Sequence, residues 1–519
     1  MPIRHDGMLA RSLPQPNRVW IERFHPPYAG IWVPGDPISR PVRPPNSPLA
    51  SERRSREPFG LRMHDSPAAP FLSGVIEGFY GPTWSRAERI ELLDLMSAWG
   101  LHTYLQGPKD DIHHRAAWRT PYPHGEASEL RSLAREANAR GVQLAHGFGP
   151  GLDIRYSDPA DLDAAVGRFV QSRAMGVSIF VLLFDDIPDR MHADDVARWG
   201  SLACAQAAFA NAVLAALSRE APARMLFCPT PYCGRMAMRA HGGPGYLQQL
   251  GANLAPAIDV FWTGPEIVSH SITPDHLDEV ASWLRRPPVL WDNLHANDYD
   301  GRRFHCGPYS GRPRAIRSRL RGVLSNPNTE FPLNFPGLHS LSAWLRSAGD
   351  WDERASYLEA IRAWLPKFDG WGMPMPEEDL VLLGDCFYLP GTEGPMAVDL
   401  RDRLRTVLAT QPAHWGPEAA GVRSRLARLR DACARIADLR DRRMFAAWSR
   451  RAWELREETD LVVKFLDWNL DPATRGQPFH SDFHQPLTYR GGMVPSLQSL
   501  LSMQPDGTFT PGVSGTPRP

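Results

Sequence analysis

Apolar residues recur along this chain in two different rhythms. Between about residues 74 and 347, short apolar runs alternate with segments whose apolar positions return every three or four residues. The runs are GVIEGFY (74–80), LHTYLQ (101–106), VQLAHGF (142–148), VSIFVLLF (177–184), RMLFCPT (224–230), AIDVFWTG (257–264), PPVLWDN (287–293) and GVLSN (322–326). Several of the intervening helices have legible ends. Ser85 with Glu88 three residues on reads as a capping box, and Leu92, Leu95, Met96 and Trp99 form a stripe that stops at Gly100. Asp158-Pro159 and Thr273-Pro274 each place a cap residue before a first-turn proline. Gly141 and Gly176 end helices just ahead of strands. Eight strands alternating with helices predict an α/β fold, a (β/α)8 TIM barrel. The competing open, doubly wound sheet usually advertises a glycine-rich first turn. GVIEGFYG lacks the GxGxxG order, and no GxxxxGK[ST] occurs.

The second rhythm is helical throughout and runs from about Leu338 to Leu470. Val422, Leu426, Leu429, Cys433, Ile436 and Leu439 recur at three- and four-residue steps. Trp448, Trp453, Phe465 and Trp468 follow, as the core of an α-helical bundle or as an aromatic wall through which two copies pair. Residues 1–70 hold 14 of the 50 prolines, about four times the ~5% background, and read as a Pro/Arg-rich disordered leader. Met63, just ahead of the patterned region, is a candidate start. The expected organisation is therefore a leader over 1–70, a barrel over 71–347, a helical domain over 348–484 and a flexible tail over 485–519.

Composition narrows the function classes. Fifty-eight basic and 58 acidic side chains cancel, which counts against a protein that works by gripping nucleic-acid phosphates or an anionic membrane. Six cysteines in 519 residues are too sparse for a disulfide framework, and none forms a CxxC. No apolar stretch approaches the roughly 18 residues of a membrane span. MPIRHDGMLARSLPQPNRVW has no apolar h-region, so the expected compartment is the cytoplasm.

Chemistry in such a barrel belongs at the C-terminal ends of the strands. There VSIFVLLF delivers Asp185 and Asp186 side by side, where each carboxylate is costly unless solvated, paired or used. Successive strand residues face opposite ways, so both enter one pocket only if the chain turns, and Ile187-Pro188 is consistent with a turn. A helix-capping turn or a divalent-metal site would also explain the pair. Other strand ends contribute Gly78 and Tyr80, Lys109-Asp110-Asp111, Cys228-Pro229-Thr230 with Tyr232, Trp291-Asp292-Asn293 with HANDYD (295–300), and Asn326. Carboxylates, amides, a lysine and aromatic faces converging on one rim suit a neutral sugar. Asp110, Asp111, His113 and His114 are metal-ligand types, but their spacing fits no HExxH or EF-hand pattern, and no metal or cofactor is expected. Cys228 is either a reactive thiol or a small apolar residue on a pocket floor.

At these residues the sequence resembles glycoside hydrolase family 84, the O-GlcNAcases and related bacterial β-N-acetylglucosaminidases. The matching strings, in order, are GVIEGFYGPTW, PKDD, PGLDI, LLFDDI, FCPTPYCG, WTGP, WDNLHANDYD and GVLSNPN. The resemblance implies a barrel with a helical domain after it, and retaining, substrate-assisted hydrolysis. In that chemistry the substrate's own 2-acetamido oxygen attacks the anomeric carbon to give an oxazoline. By the LLFDD motif, Asp185 would orient and polarise the acetamido N–H, and Asp186 would be general acid and then general base. Tyr232 would bond the acetamido oxygen, Asn293 would hold that group, Trp291 would line its pocket and Cys228 would lie near the floor. Asp298 and Asn326 would serve the 4- and 6-hydroxyls, and Gly78, Lys109 and Tyr80 the rest of the ring. The implied partner is a β-GlcNAc-bearing substrate such as a glycosylated protein or peptide. A hexosaminidase acting on glycans or cell-wall fragments, and a non-catalytic GlcNAc-binding protein, are the rivals. Met236 departs from the aromatic that some relatives place at the cleft edge.

Overall fold

A computed structural model describes residues 70–481 and 491–512. The expected leader, with Met63, lies outside the described residues. Eight parallel strands close into a barrel in sequence order: β1 (Leu72–Glu77), β2 (Thr103–Gln106), β3 (Gln143–Phe148), β4 (Ile179–Leu183), β5 (Arg224–Cys228), β6 (Ile258–Trp262), β7 (Val289–Asp292) and β8 (Gly322–Ser325). Closure pairs β1 with β8, Leu72 opposite Gly322 and Val75 opposite Ser325. The fold is a (β/α)8 TIM barrel followed by helices.

The near-continuous apolar strands are explained by burial on both faces. In β4, Ile179, Val181 and Leu183 join Leu72, Ile76, Leu105, Ala145, Leu226, Phe261, Val289 and Leu324 inside the barrel. The alternate residues Phe180 and Leu182 join Val75, Tyr104, Leu144, Met225, Val260, Leu290 and Val323 beneath the helices. Gly74 is required at the β1–β2 contact, where a Cβ would lie 1.7 Å from the Thr103 carbonyl oxygen. The capping box forms as expected: Ser85 Oγ accepts from Glu88 N at 3.3 Å and the Glu88 carboxylate from Ser85 N at 2.8 Å. Several strands stop short of the apolar runs. Gly78–Tyr80, Asn293 and Asn326 lie beyond the strand ends, in the loops at the mouth.

After the barrel, helices Glu353–Trp364, Glu377–Asp385, Pro395–Leu408, Pro417–Arg435 and Arg442–Leu470 share a second core. Val422, Leu426, Leu429, Cys433, Ile436 and Leu439 are all buried in it, as are Trp448 and Phe465, whereas Trp453 is 58% exposed. That core reaches into the barrel's own loops. Phe304, from the connection after β7, stacks on Phe387 at 4.4 Å and meets Trp448 edge-on at 4.8 Å. Arg451 of the long helix donates to the Gly301 carbonyl at 2.7 Å and to Glu330 at 2.5 Å. The described residues form one compact unit.

The segment expected as a flexible tail differs. Residues 491–512 form helix Val494–Gln498 and strands β10 (Leu501–Met503) and β11 (Thr508–Pro511), with β11 pairing to β9 (Phe479–His480). Met493, Val494, Leu497, Leu501 and Phe509 are buried in the helical core. Their apolar spacing outweighs the Pro- and Gly-rich composition around them. Among the described residues no single helix is long and apolar enough to cross a membrane.

Candidate active site

The two aspartates reach one pocket through a change of backbone hand. The Phe184 amide still donates to the Cys228 carbonyl at 3.0 Å, in continuation of the β4–β5 ladder. Asp186 then takes φ 51°, in the left-handed region that Asp tolerates better than most side chains. That turn removes the strict alternation that would otherwise send the second carboxylate away. Asp185 is buried and Asp186 is exposed.

Their surroundings differ sharply. Asp185 Oδ2 accepts from Lys109 Nζ at 2.7 Å and from Arg115 Nη2 at 3.4 Å, and Arg115 also donates to the Asp185 main-chain carbonyl at 3.1 Å. Burial pushes this carboxyl's pKa up, but the two cations outweigh burial and hold it well below the usual carboxylate range. Asp185 Oδ1 is buried with no hydrogen-bond partner. Asp186 is clasped by two phenols instead: Tyr232 donates to Oδ1 at 2.9 Å and Tyr80 to Oδ2 at 3.1 Å. Burial, reinforced by Asp186, raises both phenols, so they stay protonated donors.

A third group sits across the mouth. Asn293 Oδ1 accepts from Trp291 Nε1 at 3.0 Å and from Asn326 Nδ2 at 2.9 Å, while Asn293 Nδ2 donates to the Ile267 carbonyl at 2.9 Å. Asn326 Oδ1 is buried without a partner. Gly78 lies against the Trp291 ring, where a Cβ would stand 2.8 Å from Cζ2. Asp298 Oδ2 accepts from the Tyr80 amide at 2.9 Å, and burial raises its carboxyl pKa. Cys228, Tyr232 and Trp291 share one buried cluster. Burial and then Asp185 push the Cys228 thiol well up, which keeps it from thiolate chemistry. The eleven residues expected from the sequence thus surround one mouth: Cys228 and Trp291 sit at the ends of β5 and β7, and the others on the loops after β1, β2, β4, β5, β7 and β8.

A family model described as beta-N-acetylglucosaminidase matches residues 73–369. The chain belongs to the beta-N-acetylglucosaminidase family. The Protein O-GlcNAcases of Rattus norvegicus and Mus musculus are each 41% identical over 280 residues, 54% of this chain and 30% of theirs. The matched segment therefore spans less than a third of the length of these curated relatives. A solved mutant of the Thermobaculum terrenum O-GlcNAc hydrolase is 28% identical with TM-score 0.67, covering 77% of this chain and 83% of that one. The structure of CpGH84B has TM-score 0.68 at 20% identity, over 78% of this chain and 70% of that one, and supports the fold alone.

In this beta-N-acetylglucosaminidase family member, neighbouring acidic residues at the rim serve structure. Asp292 is locked to Arg312 at 2.6 and 2.9 Å, both side chains buried. Glu77, inside GVIEGFY, pairs with Arg89 at 2.8 Å and takes the Trp84 amide at 3.0 Å, which fixes the loop after β1. The quartet weighed as metal ligands does not converge. Asp111 accepts from Tyr122 Oη and from the His113 amide, while His113 Nδ1 faces the Thr120 carbonyl and His114 Nδ1 the Gly147 carbonyl. Among the described residues, no three His, Cys, Asp or Glu side chains gather as a metal site. Sequence reasoning missed Arg115. Its signal was its place at the end of PKDDIHHR, six residues beyond Lys109 in the same loop.

Proposed function

We propose that this chain is a retaining β-N-acetylglucosaminidase that removes terminal β-linked GlcNAc through an oxazoline intermediate, with GlcNAc on Ser or Thr of proteins as its substrate. The observation that carries the reading is the contrast between the two aspartates. Asp185 is buried against two cations with one oxygen unpartnered, and Asp186 is exposed between two phenols.

A fixed negative charge with a free acceptor suits an amide N–H. Asp185 Oδ1 accepts a hydrogen bond from the acetamido N–H, which orients and polarises the amide and raises the nucleophilicity of its oxygen as it closes on the anomeric carbon. Lys109 and Arg115 keep Asp185 charged for that task. Asp186 donates a proton to the departing glycosidic oxygen, then removes one from the water that opens the oxazoline, a role worth roughly 10²–10⁴-fold. Tyr232 swings its donor to the acetamido oxygen. Asn293 and Trp291 hold the acetamide between an amide edge and an indole face, above Cys228. Asp298 and Asn326, whose Oδ1 has no partner, take the 4- and 6-hydroxyls, and Lys109, Tyr80 and the Gly78 carbonyl border the ring.

Asp186→Asn is expected to lower turnover of poor leaving groups by about 10²–10⁴-fold and of activated aryl β-GlcNAc far less. Asp185→Asn is expected to damage both classes alike, because cyclisation itself is impaired. The same leaving-group dependence for the two variants would overturn these roles. Turnover of an O-GlcNAc peptide measured beside chitobiose tests the substrate, and a faster rate on chitobiose would favour the glycan hexosaminidase.

A further inference from the structure

We propose that Arg115 is the positioning residue that couples the two aspartates: it grips Asp185 and, by donating to the Tyr80 hydroxyl, commits that hydroxyl's single proton to Asp186. The inference rests on the hydrolysis proposed above.

The geometry divides the work of the two cations. Lys109 Nζ meets Asp185 only at Oδ2, at 2.7 Å, as a point charge. Arg115 spans three acceptors with one planar group. Nη2 reaches the Asp185 carbonyl at 3.1 Å and Oδ2 at 3.4 Å, while Nη1 reaches the Tyr80 oxygen at 3.1 Å. A guanidinium offers donors in a fixed fork and cannot be replaced there by an ammonium. The fork is itself held: its side chain is 13% exposed, and the preceding residue's carbonyl takes the Gly149 amide at 2.8 Å.

The consequence concerns direction. A phenol has one proton. Because the Tyr80 oxygen accepts from Arg115, its own O–H is turned to Asp186 Oδ2 at 3.1 Å. The Tyr80 backbone is fixed as well, by the bond from its amide to Asp298. Tyr232 carries no comparable clamp among the described residues, so Asp186 Oδ1 is the oxygen free to carry and deliver the proton. Arg115 touches neither sugar nor reacting atom in this account. It acts through Tyr80 and Asp185.

The groups facing Asp185 are Lys109, Arg115, His114, Asp186, Cys228, Tyr80 and Tyr232. Burial first, then Lys109 and Arg115, keeps His114 neutral, and the thiol and phenols titrate far above neutrality. Removing Arg115 therefore raises the pKa of Asp185 and moves the acid limb of the rate profile to higher pH.

The test compares the wild-type chain with Arg115→Met, Arg115→Lys, Tyr80→Phe and the two combinations, on a poor and an activated aryl β-GlcNAc, with thermal unfolding as the check on folding. Arg115→Met is expected to lower kcat on the poor leaving group by about 10–100-fold with KM little changed, and to shift the acid limb upward. Arg115→Lys is expected to restore the acid limb, since the charge returns, yet Tyr80→Phe should then cost almost nothing further. An acid limb unmoved in Arg115→Met, or a Tyr80→Phe penalty as large in Arg115→Lys as in wild type, would overturn the inference. If Arg115→Met does not fold, the Arg115→Lys cycle decides by that second criterion. A wild-type chain inert on both substrates would instead overturn the hydrolase reading itself.

Discussion

At the scale of single residues, the site depends on close approaches that leave no slack. Gly78 is the clearest case. A methyl group there would stand 2.8 Å from both the Trp291 ring and Ile76 Cγ2, so the indole proposed to border the acetamide must tilt. Gly78→Ala is expected to raise KM for aryl β-GlcNAc about tenfold or more with a smaller change in kcat, read from steady-state kinetics. An unchanged KM would show that Trp291 does not shape that pocket. The aspartate pair was legible in the sequence because two carboxylates after an apolar strand cannot be neutral to stability. How both enter one pocket was not legible, since a φ of 51° at Asp186 leaves no mark beyond Ile187-Pro188. Arg115 was hidden for a related reason. Arginines are common, and only the folded loop after β2 brings this one to Asp185, 70 positions away.

At the scale of elements, short apolar runs set between segments of 3.6-residue rhythm identified all eight strands because each is buried on both faces, in β4 by Phe180 and Leu182 outward and Val181 and Leu183 inward. Strand ends were overextended where mouth residues such as Tyr80 and Asn293 continue the apolar or polar alternation without pairing. The tail was misjudged because composition was weighed over spacing: Val494, Leu497 and Leu501 cover the helical core despite the surrounding prolines and glycines. That core is joined to the barrel through Trp448, which is fully buried and meets Phe304, Phe387, Trp364 and Phe368. Trp448→Ala is expected to cost about 3–5 kcal/mol in chemical denaturation. Because Phe304 extends from the connection after β7, the same variant should also lower activity at temperatures where the protein is still folded. A stability loss without any loss of activity would show that the helical core does not steady the mouth.

At the scale of the whole molecule, buried neutral histidines set the acid boundary of the fold. Burial lowers His146 to about 3, His305 to about 3 and His295 to about 4, with Arg168 adding to the effect at His146. They span the structure. His146 joins the barrel wall to Ser172 on the helix Pro159–Ala174, while His295 and His305 lie in the segment between β7 and β8 that reaches the helical core. Each folded-state pKa lies below the unfolded value near 6.5, so between about pH 6 and 4 the unfolded chain binds the extra proton and stability falls as pH falls. Each such group contributes a slope of about 1.4 kcal/mol per pH unit, about 4 for the three together, against a total of roughly 5–15 kcal/mol. Asp185 has the same sign in a lower window. Its depressed carboxyl adds stability above the unfolded carboxylate pKa near 4 that is lost only as pH falls through the lower folded value, outside this window. The melting temperature is therefore expected to drop steeply from pH 6 to pH 4.5 while Asp185 remains charged. His146→Gln should flatten that slope by about 1.4 kcal/mol per pH unit even if it lowers stability at pH 7. A melting temperature independent of pH across that range would mean that these imidazoles are not held neutral.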